Sequence, residues 1–184
     1  FLWGNMSDTR VYLDQNNLNM TMNLRNNFSR LAETLLTEGK RDSALTVLDK
    51  CLEVMPDKTV PYNIMMLRII ELYYSAANFN NRPQIDSSGV LMNKGMEFAD
   101  GRAKAALETG NTIVNKLVAT YENDIDYYLS LKGTKHYKLI EKDMGQALAV
   151  MQELIRLARM SGQETLVKKL EDRFKAVEQK YYSK

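Results

Sequence analysis

Two residues in this chain carry side chains suited to act as nucleophile and base near neutral pH, the single cysteine Cys51 and the single histidine His136. A thiolate needs a base within hydrogen-bond reach, and these two lie far apart in the sequence in separate helical segments, so a Cys–His pair is not expected. One histidine and one cysteine also fall short of the ligand set of a zinc site. Glu122, Asp124 and Asp126 form a close run of carboxylates, the residue type used in acid–base catalysis. Interleaved with Tyr121, Ile125, Tyr128 and Leu129, however, they read as the solvated face of an amphipathic helix. Gly95 and Gly101 follow no strand and match no phosphate-cradling pattern. No catalytic residue, metal or cofactor is therefore expected, and the fragment is read as non-enzymatic.

Charge narrows the partners. The formal net charge of +2 is too small to point to nucleic acid, which is held by a concentrated basic face. Lys132, Lys135, His136, Lys138 and Lys142, with Glu141 among them, form the densest basic run and read as a solvated loop and helix start. Cys51 sits among Leu48, Leu52 and Met55 and reads as a small buried hydrophobe. No apolar run approaches the roughly 20 residues needed to cross a bilayer, so no membrane insertion of this fragment is expected. The chain begins at Phe1 without a signal-peptide pattern and reads as a piece of something longer.

The elements that position these residues are helical. Hydrophobic residues make up 45% and only three prolines interrupt the chain, which suits a globular helical protein with a continuous core and leaves no evident sheet. Residues 1–16 lack a period and read as an N-terminal strap, pinned by Trp3, Tyr12 and Leu13, ahead of a helical domain over 17–184. Met22, Leu24, Phe28, Leu31, Ala32, Leu35 and Leu36 then recur at steps of three and four, and Gly39 stops that helix. A second helix carries Ala44, Leu45, Leu48, Cys51, Leu52 and Met55, with Asp42 near its positive end, and stops at Pro56. Asp57, Thr59 and Pro61 predict a third helix from about residue 60 to Ala77. An insertion follows over about 79–101, with a short helix near 90–99. Three more stripes run over 102–129, 139–158 and 166–181, divided by Gly133 and by Ser161–Gly162. The fold class expected is all-α, six main helices in three antiparallel hairpins.

Within residues 25–58, Phe28, Leu31, Ala32, Leu35, Ala44, Leu48, Cys51 and Pro56 fall where a tetratricopeptide (TPR) unit, about 34 residues long, places such types. Ala32 and Ala44 matter most, because a larger residue there would push two helices apart. Gly110, followed by Val114 and Leu117, gives the same small-then-large pattern to a second unit, and 137–182 fits a terminal unit. A six-helix bundle without repeats stays open as the alternative. The groove face of a TPR unit selects Asn26, Ser29, Glu33 and Leu36, with Arg68 extending it, and these five are the candidate contacts for a bound protein or peptide. Of the paired tyrosines, Tyr73–Tyr74, Tyr127–Tyr128 and Tyr181–Tyr182, one ring of each is expected in the core and the other toward a partner. The Asn-X-Ser/Thr triplets at Asn5, Asn19 and Asn27 are read as chance.

The strap Val11–Asp14, the run Asn23–Ala32, the blocks Asp42–Ala44 and Leu48–Pro56, and Asp126–Leu131 resemble the C-terminal region of a family of bacterial multi-spanning membrane proteins. The membrane half of that family is similar to protein O-mannosyltransferases, and the resemblance covers most of residues 11–182, with 79–105 extra. It implies a glycosyltransferase-like parent whose extramembrane tail is this chain, on the periplasmic face of the inner membrane or, alternatively, on the cytoplasmic face. Two functions follow as expectations. One is a protein-interaction module; the other is a structural domain that docks on its own membrane-embedded parent through Trp3, Val90, Leu91 and Phe98.

Overall fold

The computed structural model describes residues 3–78, 84–85, 91–92 and 101–183. Among them the architecture is all-α: six helices, with one two-residue antiparallel pairing of β1 (Gln84–Ile85) and β2 (Leu91–Met92) in the register Gln84 to Met92. Leu91 and Met92, which fall within the short helix predicted near 90–99, are instead in β2, and the rest of that stretch lies outside the described residues. The chain forms two compact units, residues 1–111 and 112–184, and the division falls inside a helix.

In the first unit, α1 spans Gln15–Thr37 and starts inside the stretch expected to be strap. Its start is fixed by Asp14, whose carboxylate accepts the Asn17 amide at 2.8 Å, satisfying an otherwise orphaned donor. Its end is fixed by Gly39, held at φ 79°, where the amides of Gly39 and Lys40 fold back onto the carbonyls of Leu36 and Leu35. After this short link α2 (Arg41–Val54) packs against α1, and α3 (Met66–Ala77) packs against both. Ala32 and Ala44 are fully buried, as the close approach of two helices demands, beside Leu45, Leu48, Cys51, Ile69, Ile70 and Tyr73. Each large apolar side chain there contributes about 1.5–3 kcal/mol through its removal from water.

The third helix starts later than expected, at Met66. Asp57 does not cap a helix; its carboxylate accepts the amide of Tyr62 at 2.9 Å, while Pro56 O accepts from Thr59 and Val60. Those bonds shape residues 56–62 into turns, and Asn63 Oδ1 then takes the Met65 amide at 3.1 Å just before the helix begins. After Gly101 the first turns of α4 (Gly101–Ser130) return to the unit: the Arg102 guanidinium donates to Asp42 O and Thr46 Oγ1. Gly110 makes closest contact, since a Cβ there would stand 2.6 Å from Tyr74 Cε1, and the Tyr74 hydroxyl donates to Asn111 Oδ1 at 2.7 Å.

The second unit holds the rest of α4, then α5 (Tyr137–Met160) and α6 (Glu164–Ser183), which pack together. Their link repeats the geometry of the first: Gly162 at φ 74°, with the amides of Gly162 and Gln163 bonded to the carbonyls of Arg159 and Ala158. Lys169 meets Asn115, Arg173 meets Glu122 and Lys180 meets Asp126, so partner numbers rise together and α4 and α6 run in the same direction. The core of this unit is Val114, Leu117, Ile125, Met144, Met151, Leu154, Leu170 and Val177.

Three apolar residues expected inside are outside. Tyr12 is 87% exposed, so the strap is held by Trp3, whose ring lies 5.5 Å from that of Phe28, and by half-buried Leu13. Leu31 is 51% exposed because it lies about 100° around the helix from Ala32, away from the Thr21, Arg25, Ser29, Ala32 and Leu36 stripe that faces the core. Leu139 is 76% exposed in the first turn of α5, where the buried stripe starts only at Met144.

Candidate functional site

The five residues selected for a groove divide by register on α1. Asn26 and Glu33 are exposed, and Arg68 on α3 is half-exposed. Ser29 and Leu36 are buried, 3% and 4% exposed, which corrects the expectation that these two face a ligand. The physical reason is the core stripe of α1: Ser29 lies on it, and its hydroxyl donates to Arg25 O at 3.0 Å, a helical back-bond that satisfies it without solvent.

Glu33 and Arg68 meet in an ion pair, and Arg68 Nη1 also donates to Glu71 Oε2 at 2.5 Å. The hydrogen bond to Glu33 pushes the Arg68 guanidinium up, against a smaller desolvation effect, so it carries its charge at any accessible pH. The pair joins the exposed edges of α1 and α3 with Asn26 further along α1. An arrangement of this kind offers one carboxylate, one guanidinium and an amide to a passing chain, each partly solvated and free to exchange partners.

The residues considered for catalysis are placed otherwise. Cys51 is fully buried, and burial pushes its thiol up to about 12, which leaves no thiolate near neutral pH. His136 is exposed at the N-cap of α5, in the other unit. Arg173 takes Glu122 in a two-pronged ion pair, and Lys180 takes Asp126 at 2.8 Å, while burial pushes the Asp124 carboxyl up. Among the described residues no group of three or more His, Cys, Asp or Glu stands close enough to hold a metal ion. Nor is any described helix long and apolar enough to cross a membrane.

Tyr73 and Tyr74 are both buried, against the expectation that one of them turns outward: Tyr73 lies in the first-unit core and Tyr74 is turned onto Gly110. Tyr127 is 60% exposed and Tyr128 half-buried, so one ring turns outward but neither is fully in the core. The side chains of Val90, Leu91, Phe98 and Tyr182 lie outside those described. An open trough runs along α5 and α6, floored by Ile155 and Phe174 and rimmed by Gln152, Arg159, Lys175 and Glu178, and none of the five selected residues lines it.

No family model, curated protein or solved structure matches this chain.

Sequence reasoning missed Arg25. This arginine is completely buried on α1, and its guanidinium donates to Pro61 O and Met55 O, each at 3.0 Å, and to Val60 O. The guanidinium carbon lies 5.2 Å from the centroid of the Tyr62 ring. Burial pulls the Arg25 pKa down, and nearby Cys51, Tyr62 and Asp57 oppose that pull. Its fork binds the turn that leads to α3, and so sets where Arg68 stands relative to Glu33. The available signal was register: Arg25 lies four residues from Thr21 and from Ser29, on the same stripe as Ala32 and Leu36.

Proposed function

We propose that this chain is a non-catalytic protein-interaction module built from TPR-like antiparallel hairpins: α1 with α2, α3 with the first turns of α4, and α5 with α6. The observation that carries the reading is the Glu33–Arg68 ion pair. It joins α1 to α3 between residues about one TPR length of 34 apart, as expected if these are equivalent first helices of successive units. The buried Ala32 and Ala44, the close contact of Gly110 with Tyr74, and the matching glycine turns at Gly39 and Gly162 support the same reading.

On this reading Asn26, Glu33 and Arg68 contact a protein or peptide, while Ser29 and Leu36 support them from the core. On the sequence resemblance alone, we take the module to be the extramembrane tail of a glycosyltransferase-like membrane protein, on the periplasmic face, where it would hold a partner near the parent. Peptides selected against the domain by display provide the test. Glu33→Lys and Arg68→Glu should each weaken the selected peptides about tenfold, whereas Lys168→Glu on α6 should not. Both groove variants should stay within about 0.5 kcal/mol of the parent in stability, because a half-exposed pair contributes little to folding. Unchanged peptide affinity in both groove variants would remove this face from the reading.

A further inference from the structure

Lys135, Lys138 and Lys142 are exposed around the start of α5, and none of them enters an ion pair among the described residues. A step of four residues puts Lys138 and Lys142 on one side of the first turns of α5, with Leu139, 76% exposed, next to them, and Lys135 stands in the turn just before the helix. Tyr127, 60% exposed, stands in the last turn of α4, so the chain brings it to the same end of the second unit as Leu139. Lys132 is already engaged: its ammonium donates to Tyr181 O at 2.9 Å and lies 5.2 Å from that ring, which ties the turn to α6. Glu141 and Asp143 lie among these lysines, and Asp124 and Asp126 lie near Tyr127, Asp126 already taken by Lys180.

We propose that this end of the second unit docks on an anionic phospholipid surface, with Lys135, Lys138 and Lys142 meeting headgroup phosphates and Leu139 and Tyr127 entering the interfacial layer. One lysine in the turn and two a helical turn apart on α5 give a row of cations, which suits a field of phosphates better than one small anion. A side chain like Leu139 gains nothing on a nucleic-acid backbone but is stabilised at the edge of a bilayer, where an aromatic with a polar tip such as Tyr127 also sits well.

The test is sedimentation of the protein with vesicles of phosphatidylcholine alone and of phosphatidylcholine mixed with phosphatidylglycerol. Binding is expected to the anionic vesicles only, and it should weaken as salt rises from about 0.05 to about 0.5 M. Lys135→Gln, Lys138→Gln and Lys142→Gln should each lower the partition coefficient about fivefold, the worth of one lysine at such a surface. Leu139→Ser should lower it while leaving the salt dependence in place. All four positions are exposed, and an unchanged circular dichroism spectrum confirms that the variants fold. Equal binding to neutral vesicles, or a triple lysine variant that partitions like the parent, would overturn the proposal. So would displacement by millimolar inorganic phosphate, which would mark a small-anion site, or retention of an acidic peptide or oligonucleotide without vesicle binding.

Discussion

The hydroxyl of Tyr73, a ring buried on α3, donates to Asp49 Oδ1 on α2 at 2.8 Å. Burial and the adjacent carboxylate both push the phenol far above its ordinary range, so it is a fixed donor throughout the usable pH range. Tyr73→Phe removes the donor and keeps the packing. It should cost about 1–2 kcal/mol in urea denaturation, and a Tyr73→Phe/Asp49→Ala cycle should recover most of that as coupling. Purely additive single losses would show that the bond does not hold α2 to α3.

Gly110 should tolerate no large side chain. Alanine gains about 1 kcal/mol of helix propensity, but its Cβ would stand 2.6 Å from a Tyr74 ring that is tethered through its hydroxyl to Asn111. Overpacking of this kind costs about 1–3 kcal/mol, so Gly110→Ala should be neutral to destabilising and Gly110→Leu clearly destabilising. Thermal melts read the difference. A stabilised Gly110→Leu variant would mean that α3 and α4 do not approach closely there.

Arg25 holds three carbonyls, and its bonds to Met55 O and Val60 O are buried away from water. Arg25→Met should cost about 3 kcal/mol or more, because dry acceptors are left behind. Arg25→Lys should rescue little, since a single ammonium cannot fork across Met55, Val60 and Pro61. Hydrogen exchange should show the loss first in residues 56–65. If lysine restores full stability, the planar fork is not what matters.

Alkali should destabilise the first unit in part through Cys51, alongside the buried phenols of Tyr62 and Tyr73. The Cys51 pKa rises from 9.0 to about 12 on folding, so the unfolded chain loses this proton first and binds fewer protons than the native one. Stability from this group is therefore complete below about pH 9 and falls as pH climbs toward 12, by up to about 1.4 kcal/mol per pH unit. Denaturation at pH 8, about 9.5 and about 11 should show that slope in the parent and a shallower one in Cys51→Ala. Thiol reagents at pH 8 should label the protein only when it unfolds.

Helix stripes and stops were legible in the sequence because they depend on local chemistry. Leu45, Leu48 and Cys51 recur at helical spacing, and Gly39 and Gly162 supply the positive φ that ends a helix. Ala32 and Ala44 were legible for the same reason, as small residues at contact positions. The start of α3 was not, because Asp57 and Pro61 carry the signals of a helix start while long-range bonds from Arg25 claim the carbonyls around them. Exposure failed where register was read too broadly: Leu31 and Leu139 continue an apolar pattern by type but lie off the buried arc. In the candidate groove, the pairing of Glu33 with Arg68 could be anticipated from repeat length, whereas the burial of Ser29 needed the angular position of the core on α1.

The contact of Trp3 with Phe28 also gives this protein a built-in optical probe. The chain holds one tryptophan, so its intrinsic indole emission comes from a single site, where the N-terminal strap rests on α1. A red shift on dilute denaturant would thus record the strap peeling away, while ellipticity at 222 nm would follow the helices. Two transitions at different denaturant concentrations would separate the release of that segment from the melting of the body it lies on.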